Sequence, residues 1–147
     1  MTDKLSVNPF KWLTKSKKVK TAITTDRLSV NPFDDVDIFG TACGQEPSLE
    51  NYTMYLTLIH EEVGELVEAI ITNDKVEQLD ALVDILVVTM GAIRAAGWDG
   101  AGAWEEVMRT NFAKIDPETG KVRKREDGKV LKPEGWQAPQ LEKFLGS

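Results

Sequence analysis

The sequence predicts an all-α protein, an antiparallel helical bundle with an irregular C-terminal arm. Two observations carry this. Over residues 49–71 apolar side chains recur at spacings of three and four, the period of a helix rather than a strand. A second long helical stretch, at about 75–96, follows after only Ile71-Thr-Asn-Asp74. So short a connection forces the two helices to run antiparallel.

Each element has its own signals. The segment DDVDIFGTACG (34–44) reads as a short helix. Ser48 is placed to N-cap the helix of 49–71, whose apolar stripe is Tyr55, Leu56, Ile59, Val63, Leu66, Val67 and Ile70. Asn73 or Asp74 caps the next helix, which stops at Gly97. Trp98-Asp-Gly-Ala-Gly reads as a loop, and a third long helix is expected at about 103–114, with Val107, Met108 and Phe112 inward and Pro117 as its stop. Beyond it, turn signals at Thr119-Gly120 and Asp127-Gly128 alternate with basic residues, as in a hairpin-like arm.

The expected organisation is a basic extension over 1–33, a helical core over 34–116 and an arm over 117–147. The extension repeats itself: TDKLSVNPF at 2–10 returns as TDRLSVNPF at 25–33. Two copies do not make a solenoid. They read as a tail without chemistry, or as an arm that packs on a neighbouring subunit. The net charge of −6 divides into +5 over residues 1–33 and −11 over the rest. An acidic body is not the footprint of a duplex-binding protein. No run of about eighteen apolar residues occurs, so no membrane span is expected. The start is basic without an apolar signal core, and Cys43 stands alone, so a reducing cytoplasm is the expected location.

Chemistry concentrates in the acids. HEEVGELVE (60–68) puts Glu61, Glu65 and Glu68 on one helix face with Glu62 at its flank. By itself this is the ordinary solvated side of a helix. The next helix differs. Glu77, Asp80 and Asp84 share a face that continues through Ala81, Val88, Gly91, Ala92 and Ala95, small and apolar, as if another helix or another subunit packs on it. That helix is apolar nearly all round and is expected to be buried, with Asp84 inside it. A lone buried carboxylate is costly. It must be protonated, paired with a cation, or bound to a metal with other carboxylates. Lys75 and Arg94 are not at helical-neighbour spacing from Asp84. Counting from the turn, residues 62–65 come level with 80–84, so the antiparallel pair predicts a carboxylate site for Mg²⁺ or Mn²⁺. Other sites fail: HEEVG lacks the second His of a zinc protease, His60 being the one His in the chain, and no GxxxxGK[ST] occurs.

Glu61-Glu62-x-x-Glu65, then Glu77-x-x-Asp80 and Ala-Leu-x-Asp84, then Asn111-Phe-Ala-Lys114 and REDGKVLKP (125–133), resemble the MazG-like all-α nucleoside triphosphate pyrophosphohydrolases. The last two blocks are similar to the phage-borne branch, whose MazZ members act on purine deoxynucleotides and support diaminopurine-containing genomes. The order of four blocks is specific; either acidic block alone is weak. Some relatives carry an acid where this chain has Ala81, so Asp80 must serve instead.

The resemblance implies hydrolysis between the α- and β-phosphates, giving a monophosphate and pyrophosphate, with dGTP ahead of dATP as substrate. It implies two or more Mg²⁺ or Mn²⁺ held by Glu62, Glu65, Asp80 and Asp84, with Glu61 or Glu77 completing a ligand shell or taking a proton from water. Lys114, Arg125, Lys129 and Lys132 would hold the β- and γ-phosphates. Asn111 would orient a phosphate or sugar, or merely cap its helix. Trp136 would stack on the base or pack the arm, while Trp12, Trp98 and Trp104 read as packing residues. A homodimer or dimer of dimers is expected. The rival reading is a catalytically inactive helical oligomerisation module with a structural metal and a basic arm that contacts nucleic acid.

Overall fold

A computed structural model describes residues 31–146. The first copy of the repeat, Trp12, and all but the end of the second copy lie outside these residues. Four helices follow in order: α1 Pro32–Ala42, α2 Leu49–Ile71, α3 Lys75–Ala95 and α4 Gly100–Phe112, then a 3-10 turn at Glu142–Phe144. Among the described residues there is no strand, only the isolated bridges Ile115–Val122 and Lys124–Val130, which give the arm two successive tight loops.

The caps explain the boundaries. Asn31, the end of the second repeat copy, caps α1 by accepting from the Phe33 N–H, with Pro32 at the first helical position. The helix therefore begins two residues earlier than the sequence alone indicates. Ser48 caps α2 through the Asn51 N–H. Asn73 adopts a left-handed φ of 57°, which lets Asp74 take the capping role on the Val76 and Glu77 N–H groups. Asp99 accepts from the Gly102 N–H, so α4 starts inside the expected Trp98–Gly102 loop. It stops at Phe112, five residues before Pro117.

The body of the fold is the α2–α3 hairpin, to which α1 and α4 are attached by smaller contacts. The small-residue face of α3 packs on α2 of the same chain, not on another subunit. At Gly91 the two helices approach tightly: a Cβ there would clash with the ring of Tyr55. Tyr55, Leu58, Val88, Ala92 and Ala95 form the core, and the Tyr55 hydroxyl donates to Gln45 Oε1 at 2.6 Å. Arg94 fastens α1, donating to Asp37, Thr41 Oγ1 and the Gln45 carbonyl. Gly91→Ala gains about 1 kcal/mol of helix propensity but overpacks the core, which costs about 1–3 kcal/mol. Its Tm by circular dichroism is expected to fall; an unchanged Tm would mean that Tyr55 can turn aside freely.

Three packing expectations are corrected. The α2 residues turned to α3 are Tyr55, Leu58, Glu62 and Ala69, while Leu56, Val63, Val67 and Ile70 are exposed. Helix α3 is not buried all round: Leu79, Leu82, Val83 and Leu86 are exposed. At about 100° per residue, Val63, Val67 and Ile70 lie across α2 from Glu61, Glu65 and Glu68. In α4 the buried residues are Gly100, Glu106 and Thr110, whereas Phe112 and Trp104 are each 60 % exposed. For Glu106 and Thr110 the reason is the arm, which lies on α4 and brings hydrogen-bonding groups to it.

Candidate active site

The acids of α2 and α3 come near enough for their charges to act on one another. Glu62 is 9 % exposed, and its Oε2 is buried without a hydrogen-bond partner. Burial, and then the charges of Glu65, Asp84, Glu61 and Asp80, push its carboxyl up to about 7. Asp84 is half-buried rather than deep in a core, and burial followed by the charge of Asp80 raises it as well. Glu61, Glu65, Asp80 and Glu77 are exposed around this pair. Arg94 is committed to α1, and among the described residues no cation pairs with Glu62 or Asp84. An orphaned carboxylate oxygen among like charges is the environment a hard cation relieves. The donors are all carboxylates and suit Mg²⁺ or Mn²⁺. Their side chains stand apart: among the described residues no three acid, His or Cys side chains converge into a ready ligand group.

The expected phosphate-binding residues separate into two groups. Lys114 donates to Asn111 Oδ1 at 2.9 Å, while the Asn111 amide reaches Met108 Sδ. Lys114 and Lys132 line one cavity at the junction of α4 and the arm. Arg125 and Lys129 do not reach it. Asp127 holds the Arg125 guanidinium and also accepts from the Lys129 N–H, closing the tight loop around Gly128. Those contacts, the side-chain bond to Arg125 first, hold the Asp127 carboxyl below its usual range.

Of the two roles expected for Trp136, it takes the packing one. Its indole N–H donates to the Thr110 carbonyl at 2.7 Å, so it packs the arm on α4, and the ring is covered by lysines rather than open to a base. Trp98 pairs with Tyr52, ring centroids 5.7 Å apart, as a packing residue should.

Glu106 and Arg109 escaped the sequence reading. Glu106 accepts from Arg109 Nε and Nη2 at 2.9 and 2.8 Å and from the Gln140 N–H at 3.0 Å, which clamps the arm to α4. Those contacts, led by Arg109, hold its carboxyl down at about 2. The i,i+3 pair was a visible signal, but nothing in the sequence showed that the arm returns to it.

These acids lie in a stretch with known relatives. Residues 45–111 match the family model of phosphoribosyl-ATP pyrophosphohydrolase. The match runs from the α1–α2 connection through most of α4 and contains every acidic candidate. The phosphoribosyl-ATP pyrophosphohydrolases belong to the MazG-like all-α nucleotide pyrophosphohydrolase superfamily, in agreement with the helical fold. Residues 45–111 are therefore similar to a pyrophosphohydrolase, an enzyme type that cleaves nucleotide pyrophosphate bonds. Members of the family typically depend on divalent metal. No match is found among curated proteins. Among the described residues, no helix is long and apolar enough to cross a membrane.

Proposed function

We propose that this protein is a divalent-metal-dependent pyrophosphohydrolase that cleaves a nucleoside triphosphate between its α- and β-phosphates, releasing pyrophosphate and a monophosphate. The observation that carries the proposal is the unpartnered, buried Glu62 oxygen beside Asp84, inside the segment that matches a pyrophosphohydrolase family. Glu62, Glu65, Asp80 and Asp84 would hold Mg²⁺ or Mn²⁺, whose chemistry there is to neutralise phosphate charge and acidify water. Glu61 or Glu77, exposed at the edge of the group, would accept the proton of the attacking water. Lys114 and Lys132 would hold the distal phosphates, since phosphoryl transfer asks mainly for positioning and charge neutralisation.

On the similarity of the Asn111–Lys114 and 125–133 blocks to the phage-borne branch, the substrate is a purine deoxynucleotide, dGTP ahead of dATP. The family match favours a second reading, in which phosphoribosyl-ATP is the substrate and the same bond is cut. Incubation with dGTP, dATP, the other dNTPs and phosphoribosyl-ATP, with Mg²⁺ or Mn²⁺, decides between them. Pyrophosphate rather than orthophosphate is the expected product. Orthophosphate alone, or no product from any of these substrates, would refute the assignment.

A second copy of the chain completes the fold in this proposal. Val63, Val67 and Ile70 on α2, with Leu79, Leu82 and Leu86 on α3, are large apolar side chains left exposed, of the kind that marks a protein–protein surface. Two such hairpins, packed through these residues, make a four-helix bundle. Light scattering is expected to give a dimer or dimer of dimers. A mass of one chain at all concentrations would contradict it.

A further inference from the structure

Three cations gather at one place, two of them phosphate-binding candidates of the sequence and the third, Arg123, not among these. Lys114, just beyond the C-terminal end of α4, and Arg123 and Lys132, both in the arm, line one cavity of about 510 Å³. Two of the three are held by a ring. The Lys114 and Lys132 ammoniums lie over the indole of Trp136, 5.1 and 4.4 Å from its centroid. The ring is fixed in turn, because its N–H is bonded to the carbonyl of the buried Thr110. It is a platform that keeps two like charges near each other, attracting both through its π face.

Arg123 adds a planar guanidinium and forms no salt bridge among the described residues. Acids border the cavity too. Asp116 is occupied, accepting from the Glu118 and Thr119 N–H groups. Glu118 and Glu134 are exposed at its edge. A singly charged anion gains little from so balanced a rim. A polyphosphate, with several charged oxygens in a row, can engage all three cations at once, and Arg123 can take two oxygens with its fork.

We infer that Lys114, Arg123 and Lys132 form the seat of the substrate's β- and γ-phosphates, with Arg123 as a binding residue and Trp136 as the positioning residue for the two lysines. This deepens the pyrophosphohydrolase reading and rests on it for the identity of the ligand, but the seat can be tested without turnover. Inorganic tripolyphosphate is titrated calorimetrically into the metal-free full-length protein, with orthophosphate as comparison. Arg123→Gln is expected to weaken tripolyphosphate binding roughly tenfold, and so is Trp136→Leu, while Trp136→Phe, which keeps a ring, recovers part of the loss. Lys124→Gln, elsewhere on the arm, serves as the control and leaves binding unchanged. In turnover, Arg123→Gln is expected to raise KM about as much as it weakens binding and to leave kcat within roughly twofold.

Wild-type tripolyphosphate affinity in Arg123→Gln would overturn the seat. So would orthophosphate binding as tightly as tripolyphosphate, or a fall in kcat with KM unchanged. A protein that binds tripolyphosphate through Arg123 yet hydrolyses no nucleotide would keep the seat and refute the enzyme assignment instead.

Discussion

Asp84→Asn is expected to abolish pyrophosphate release while leaving the helical circular dichroism intact. Asp84 sits half-buried next to Glu62 and Asp80, where its role in the proposed site is to donate charge as well as an oxygen. The amide has the same shape but no charge and a poorer donor oxygen. Changing groups that merely support a metal ligand costs roughly 10–100-fold in affinity or activity. Removing a ligand itself is expected to cost at least that much. Stability should not suffer, because the ionised carboxylate is disfavoured where it stands, and its removal relieves repulsion on Glu62. Assay in Mg²⁺ and in Mn²⁺, alongside thermal melts, separates the two effects. Activity that survives the substitution, or that needs no metal, would end the mechanism proposed for these acids.

Metal-free protein is expected to lose stability as pH rises from about 4.5 to about 7, and Glu62→Gln to remove most of that loss. The folded state raises the Glu62 carboxyl to about 7 from an ordinary value of 4.5. Between those values the folded chain holds a proton that the unfolded chain has released. Stability then falls with pH until both states are ionised, and Asp84, also raised, adds to the fall in the same direction. Glu106 acts oppositely. Its carboxyl is held at about 2, so its contribution is full above 4.5 and fades as pH drops towards 2. With chelator present, the Tm should therefore peak near pH 4.5–5 and fall by several degrees towards pH 8. A flat profile, or an identical one in Glu62→Gln, would show that Glu62 is not held in a site hostile to its charge. Saturating Mn²⁺ should recover the lost stability at pH 8 through preferential binding to the folded state.

The elements set by local chemistry were legible in the sequence. Ser48, the 71–74 turn and Gly97 delimited α2 and α3 to within a residue, because capping and left-handed φ depend on nearby side chains. The nearness of Glu62 to Asp80 and Asp84 also followed, being arithmetic from a short turn. What failed depends on partners distant in sequence. The stripe Val63–Val67–Ile70 has helical period whichever neighbour covers it, so periodicity could not say that α3 packs instead on Tyr55, Leu58 and Glu62. The inward residues of α4 were missed for a similar reason. Glu106 and Thr110 are buried by an arm more than twenty residues away, which satisfies them with Gln140 and Trp136. Arg125 and Arg123 are two residues apart in one basic run, and only the loop that returns Asp127 to Arg125 tells them apart.

The tight approach of Tyr55 to Gly91 gives the hairpin a mechanical character. Its seal, with the α1 attachment at Arg94, sits near the open end, the Thr72–Asn73–Asp74 connection closes the other, and the repelling carboxylates lie between them. Such a pair behaves like a bow held at both ends: repulsion among the acids can act only on its middle. A cation held among these acids would draw that middle together without disturbing either end.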